Sequence, residues 1–165
     1  MLDSSGYSIN RIDAVAVSAG PGSYTGLRIG ASIAKGICFA RRIPLIAIPT
    51  LQGIAQGAIY DFPEADLILP MIDARRQEVY AAQYDNKLRC IQAAHSWILA
   101  PGETDRLSAD YPVVVACGNG AEKAANILKN PAIHYHPIPA SASFLVALAE
   151  KAWQNEAFED MASFN

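Results

Sequence analysis

Gly20-Pro21-Gly22-Ser23-Tyr24-Thr25-Gly26-Leu27-Arg28-Ile29-Gly30 follows the apolar run Ala14 to Val17 and opens a helical pattern that reaches about Ala40. A strand, a tight turn and a helix start are compressed into this stretch. Gly20 and Gly22 can take positive φ, Pro21 holds its own φ near the value a tight turn needs, and Ser23 or Thr25 can cap the helix by accepting an early amide. Glycine at this density means that something approaches the backbone closely. A phosphate could do so, because amide N–H groups and the positive end of the helix dipole converge at such a turn. A second helix could equally do so, because Gly26, Gly30 and Ala34 recur every fourth residue and leave one stripe nearly without side chains. The spacing fits neither a Walker loop, which needs a following Lys-Ser/Thr pair, nor a dinucleotide fingerprint.

Outward from this segment, strand patterns at Ala14–Ser18, Leu45–Ile48, Leu67–Ile72, Glu78–Tyr84, Val113–Ala116 and Ile133–His136 alternate with helical ones. The helices fall at Ser23–Ala40, Thr50–Tyr60, Ala121–Lys129 and Ser141–Glu156, with a short one after Pro101. An α/β chain follows. The polar, Pro-containing segment Asp61 to Asp66 places a lobe boundary between residues 1–60 and 61–165. The 165 residues are 52% hydrophobic and 18% charged, with mean hydropathy +0.13, which fits a packed globular core and excludes a disordered chain. Apolar runs such as Leu45–Ile48 are strand-sized and far short of a membrane span. No targeting segment opens the chain, so a soluble cytoplasmic protein is expected.

Net charge is −3, and only Arg41-Arg42 and Arg75-Arg76 approach a basic patch, so the chain alone is not expected to bind RNA. Cys38, Cys90 and Cys117 sit in apolar contexts without metal spacing and are expected to be buried, reduced thiols. His134 and His136 share one face of a strand, but no third ligand lies nearby and no metal site is expected. There is no His-Glu-x-x-His string and no Gly-x-Ser-x-Gly elbow, so peptidase and esterase chemistry have no support and no catalytic residue is assigned. Asp73, Arg75, Arg76 and Glu78 lie where one strand ends and the next begins, either as a solvated, internally paired hairpin turn or with Arg75 facing a cleft or partner. Gly118, Asn119 and Gly120 connect a buried strand to a helix, which a bare connection or a nucleotide site would both require. Tyr24, Trp97 and Trp153 are candidate interface anchors, and Phe144 is assigned to the core.

With its preceding strand, Gly20 to Gly30 resembles the signature of the TsaB (YeaZ) family, whose members support formation of threonylcarbamoyladenosine in tRNA. Ile72-Asp73-Ala74-Arg75-Arg76-Gln77-Glu78-Val79-Tyr80 is a second family-like string, and similarity of order and spacing runs from Ser4 to Ala162. The resemblance implies an actin/sugar-kinase architecture of two ribonuclease-H-like lobes, with the nucleotide site of kinase relatives near Gly118 to Gly120. It implies a non-catalytic scaffold subunit, with Tyr24, Thr25, Gly26, Arg28, Gly30 and Ala34 at an interface with a TsaD-like catalytic partner or a second copy. A TsaE-like ATPase would join the complex, ATP or ADP would lodge only at the resulting interface, and tRNA would be met through the complex. The catalytic relative's His-x-x-x-His metal pair has no counterpart, and the old glycoprotease label of relatives is not matched by any motif. Family members begin with an Asp-Thr-Ser or Asp-Thr-Ala strand and further strands before the Gly-Pro-Gly motif, whereas nineteen residues precede Gly20 here. An incomplete first lobe, in an N-terminally shortened chain, is therefore expected. The alternative function is an ATP-binding phosphotransferase or ATPase of the same superfamily.

Overall fold

The computed structural model describes residues 6–164; Ser4, where the family resemblance begins, and Asn165 lie outside them. The chain is an α/β protein. In order, its elements are β1 (Val15–Ser18), α1 (Tyr24–Arg41), β2 (Leu45–Ile48), α2 (Thr50–Asp61), β3 (Leu67–Asp73), β4 (Glu78–Tyr84), β5 (Cys90–Ile98), α3 (Asp105–Asp110), β6 (Val114–Cys117), α4 (Ala121–Leu128), β7 (Ile133–His136) and α5 (Val146–Gln154). They form two compact units, residues 1–48 with 145–165, and residues 49–144.

In the first unit β1 and β2 run parallel, Val15 opposite Leu45 and Ser18 opposite Ile48, joined by the crossover helix α1. Helix α1 starts at Ser23, whose hydroxyl accepts the Gly26 amide at 3.3 Å, and stops at Arg42 in the left-handed region, φ 54°. Its inner side chains Ala34 and Cys38 pack with Leu45, Val15 and Val17. Met161 and Phe164 close the same cluster, and the Glu159 amide donates to the Leu45 carbonyl at 2.9 Å.

The second unit is built on a five-stranded mixed sheet in the order β5-β4-β3-β6-β7. The β3–β4–β5 meander is antiparallel, whereas β6 and β7 run parallel to β3 and are reached through helical crossovers. Strand β6 is buried throughout because both faces are covered: Val114 and Ala116 meet Leu69, Ala124 and Leu128, while Val115 and Cys117 meet Leu51, Ile54 and Ala58 of α2. That is why it reads as an unbroken apolar run rather than an alternation. The 61–66 segment lies within this unit, with Ala65 fully buried and the Phe62 amide donating to the Ala58 carbonyl. Phe144 packs against Gly57, where a Cβ would stand 2.7 Å from its ring.

Two expectations need correction. The sequence shows no strand at Cys90–Ile98, yet nine residues pair there with β4. The region has two adjacent alanines and its polar residues Gln92, His95 and Ser96 do not alternate, and a mostly exposed edge strand needs little apolar patterning. Cys90, expected to be buried, is exposed because it stands on that edge, whereas Cys38 and Cys117 are buried.

The β4–β5 turn is held by Asp85, whose carboxylate accepts the Lys87 and Arg89 amides at 2.9 and 2.8 Å and the Arg89 Nε at 2.5 Å. Partial burial pushes this carboxyl up, but the bonds from Arg89 and Lys87 outweigh it and hold the group below its usual range. A lowered carboxylate contributes stability above its unfolded pKa and loses it as pH falls through the folded value. Asp85→Asn is therefore expected to lower stability at pH 7, with the gap to the parent closing as pH falls toward 2 in paired urea titrations. Hydrogen exchange gives a second check: amides of Val114–Cys117, flanked by β3 and β7, should exchange far more slowly than those of Val15–Ser18, flanked by β2 alone among the described residues.

Candidate functional site

The glycine segment lies entirely in the first unit. After Ser18 the chain continues the ladder for one residue, the Ala19 amide donating to the Ile48 carbonyl at 2.9 Å, and then turns at Gly20 with φ +97° through a cis Gly20-Pro21 bond. Any L side chain at Gly20 would be strained, and its Cβ would press on Leu27 at 3.3 Å. The turn thus sets the start of α1 above the end of β1. A cleft of about 290 Å³ opens there, lined by Ser18, Ala19, Tyr24, Leu27, Arg28, Ala31 and Phe164. The Arg28 guanidinium lies over the Tyr24 ring at 4.6 Å, a cation–π contact that holds both side chains at the mouth.

The small-residue stripe and the outer surface of α1 are different faces. Gly26 is exposed at the first turn, beside its capping Ser23, whereas Gly30 is half-buried with Val17 3.8 Å from the place of a Cβ, and Ala34 is in the core. Gly30 and Ala34 therefore let α1 lie close on β1. Ile29 and Ile33, at 56% and 59% exposure, lie one turn apart on the solvent side, while Tyr24 and Phe39, at 70% and 80%, are exposed on other sides of the helix. This apolar pair is legible as Ile29 and Ile33 at i, i+4 spacing, about 100° round the helix from the inward Gly30 and Ala34.

In the second unit, Asp73, Arg75, Arg76 and Glu78 surround the β3–β4 turn, with Arg76 in the left-handed region at φ 64°. The carboxylate of Asp73 pairs with Lys123 of α4 rather than with an arginine, and the same ammonium donates to the carbonyls of Ala74 and Glu78. Glu78 accepts from Ser96 of β5. Internal pairing of the four charges does not occur, and Arg75 and Arg76 are exposed and form no ion pair among the described residues. Lys123 carried no local signal, because its reach depends on where α4 packs.

Gly118-Asn119-Gly120 is the tightest connection in the unit. Gly118 has φ +95°, and a Cβ there would lie 2.3 Å from the Met71 carbonyl oxygen; at Gly120 it would lie 2.9 Å from Met71 Cβ. The Gly120 amide donates to that Met71 carbonyl at 3.1 Å, and Asn119 Oδ1 accepts the Asp73 amide at 3.0 Å. These residues lock the end of β3 to the start of α4, and Arg75 lies beyond the same strand end.

His136 Nε2 is 2.9 Å from Asp61 Oδ2, and Phe62 lies 5.1 and 6.1 Å from the rings of His136 and His134. Among the described residues no three His, Cys, Asp or Glu side chains are grouped for a metal ion. Burial pushes the Cys117 thiol far up; it also raises Cys38, which a backbone hydrogen bond to Val15 only partly offsets. Neither is an activated nucleophile.

A family model described as TsaD: tRNA N6-adenosine threonylcarbamoyltransferase matches residues 1–163. Proteins named tRNA threonylcarbamoyladenosine biosynthesis protein TsaB are similar over part of the chain: that of Haemophilus influenzae is 43% identical over 83 residues, and that of Escherichia coli 45% identical over 84. The chain belongs to this family, alongside the TsaB (YeaZ) proteins. The match takes in 50% of this chain and 35% of the Haemophilus protein, and 51% and 36% for that of Escherichia coli. A solved structure titled YeaZ from Pseudomonas aeruginosa, 26% identical, superimposes with a TM-score of 0.80 over 99% of this chain and 77% of its own. Another from that organism, titled an uncharacterized protein with similarity to peptidase YEAZ, gives 0.81 over 98% and 76%, also at 26% identity. No helix among the described residues is long and apolar enough to cross a membrane.

Replacing Gly118 by Ala tests the locked connection. The clash with Met71 and the positive φ together should lower stability by at least about 2 kcal/mol, read as a shift of the urea midpoint at unchanged slope. A change within experimental error would mean that β6 and α4 can separate from β3 without cost.

Proposed function

We propose that the chain is a non-catalytic scaffold subunit in the formation of threonylcarbamoyladenosine in tRNA, docking a TsaD-like catalytic partner, or a second copy of itself, through the outer face of α1. The observation that carries this reading is the exposed pair Ile29 and Ile33, one turn apart and continuous with Thr25 and Gly26 at the head of the helix, with Tyr24, Arg28 and Phe39 exposed on its other sides. A helix of a small domain buries one apolar face; a second one facing water marks an interaction surface. Gly30 and Ala34 contribute from beneath by seating the helix. A TsaE-like ATPase would join the assembly in the cytoplasm, with ATP or ADP at the interface, and tRNA would meet the partners rather than this acidic chain.

The lobe reading has similar support. The mixed sheet of the second unit, a three-stranded meander extended by two parallel strands, suits a ribonuclease-H-like lobe, whereas β1 and β2 would be part of an incomplete first one. On this reading the proposed lobe boundary of the actin/sugar-kinase architecture, at residues 60–61, lies inside the compact unit 49–144, so α2 would be counted with the first lobe although it packs on the second unit's sheet. The absence of catalysis rests on the cleft beside the glycine turn, whose lining includes no carboxylate, histidine or cysteine to serve as base or nucleophile. For an ATP-binding phosphotransferase, Gly118 to Gly120 would have to cradle phosphate with their amides, but the Gly118 and Gly120 amides already donate to the His136 and Met71 carbonyls. The scaffold reading is the better fit.

Ile33→Glu tests it. The site is exposed, so the fold should persist by circular dichroism, while affinity for a purified TsaD-like partner, or self-association in sedimentation, should fall at least about tenfold. Unchanged association by both measures would remove α1 as the docking face. Threonylcarbamoyladenosine formed by the chain alone, or turnover of magnesium ATP by it, would overturn the scaffold assignment.

A further inference from the structure

Strands β4 and β5 line a second pocket, of about 350 Å³ and open to solvent, with α3 as one wall. Its floor is apolar, formed by Leu69 and Ala81, and Leu107 of α3 extends that apolar surface up the wall. The core face of β4 runs Val79, Ala81, Gln83, so the third position of an apolar alternation is polar. A polar side chain where the pattern calls for a core residue is a mark of function rather than of folding.

The pairing of β5 sharpens that observation. Ala81 stands opposite His95, and a regular ladder would then set Gln83 opposite Ala93; a shift in register brings Gln92 there instead. Such a bulge re-aims side chains, and here it adds Gln92 to the face that holds His95 and Trp97. Gln83 Nε2 donates to Gln92 Oε1 at 2.6 Å, and among the described residues the Gln92 amide N–H groups have no acceptor.

The charges complete the site. Glu103 lines the cavity, but its Oε2 already accepts the Trp97 indole N–H at 2.8 Å and the Ala100 amide at 3.1 Å. Those bonds fix the indole against the wall. Arg106 lines the same cavity and forms no ion pair among the described residues. His95 Nδ1 donates to its own strand's Ala93 carbonyl at 3.1 Å, which leaves Nε2 for another partner. An apolar floor, an indole held in place, an unpaired guanidinium and an amide donor together describe a receptor for one shape of molecule.

We propose that this cavity binds a small planar organic carboxylate, its ring between the Trp97 side and the apolar floor and its carboxylate received by Arg106 with Gln92. The volume suits a molecule of one or two rings. The guanidinium fork matches a carboxylate in geometry and charge, where an ammonium would offer only a point charge. The site is independent of the α1 surface and of the scaffold reading.

The test is titration of the full chain with benzoate, followed by the two tryptophan indole N–H signals in nitrogen-proton correlation spectra. Trp97 is assigned with Trp97→Phe, and Trp153 serves as an internal control. Benzoate should shift the Trp97 signal saturably with a dissociation constant of about 1 mM or below, within reach of a nine-atom ligand, and leave Trp153 unmoved. Benzamide, of the same shape without the charge, should not saturate. Arg106→Gln, at an exposed site that leaves the spectrum dispersed, should weaken benzoate about tenfold. Gln92→Glu should weaken it as well, by setting a negative charge beside the carboxylate. No saturable shift with benzoate, equal binding of benzamide, or unchanged affinity in the two variants would overturn the proposal.

Discussion

The carbonyl of Met71 is the point on which the second unit turns. It accepts the Gly120 amide and lies 2.3 Å from where a Cβ of Gly118 would stand, so the end of β3 and the start of α4 meet backbone to backbone. Only glycine permits that approach at positive φ. From it follow the depth at which α4 sits on the sheet and the position of Lys123, in the first turn of the helix. That ammonium then gathers Asp73 and the carbonyls of Ala74 and Glu78, and the β3–β4 turn is held by an element distant in sequence. Arg75 and Arg76 are left to solvent because the local carboxylate has been claimed from outside the turn.

Helix α1 shows a related division of labour. Glycine and alanine on one side bring it onto β1, and isoleucines on another leave an apolar surface in water. Docking on such a surface needs no chemistry from the chain itself. It needs a stiff helix held at a fixed height, which the Ser23 cap, the Gly20 turn and the packing of Cys38, Met161 and Phe164 supply.

Much of this was legible in the sequence where one physical effect dominated. β2, β4 and β7 fall at the expected residues because their alternation or apolar runs are bounded by turns, and the start of α1 follows from Ser23. The helix expected at Ser141–Glu156 is instead a 3-10 turn followed by a shorter α-helix. β5 was not legible because an exposed edge strand is specified by its partner's backbone. The pairing of Asp73 was hidden for the same kind of reason: sequence neighbours suggested an arginine, while tertiary packing delivered a lysine. The glycine stripe was visible, but periodicity alone does not say whether a face looks inward or outward, and its neighbours Ile29 and Ile33 resolve that only once β1 is placed beneath.

The irregular register of β5 also bears on how the chain keeps its own company. An edge of nine residues with Ile91 and Ile98 exposed would be a template for a stranger's strand if it were flat and regular. Its two register shifts, near Gln83 and Tyr84, break the even spacing of free amides and carbonyls that an incoming strand would have to match. The same irregularity that tilts Gln92 toward the cavity thus guards the sheet against growing by accretion, so that solubility and recognition are served by one misfit in the ladder.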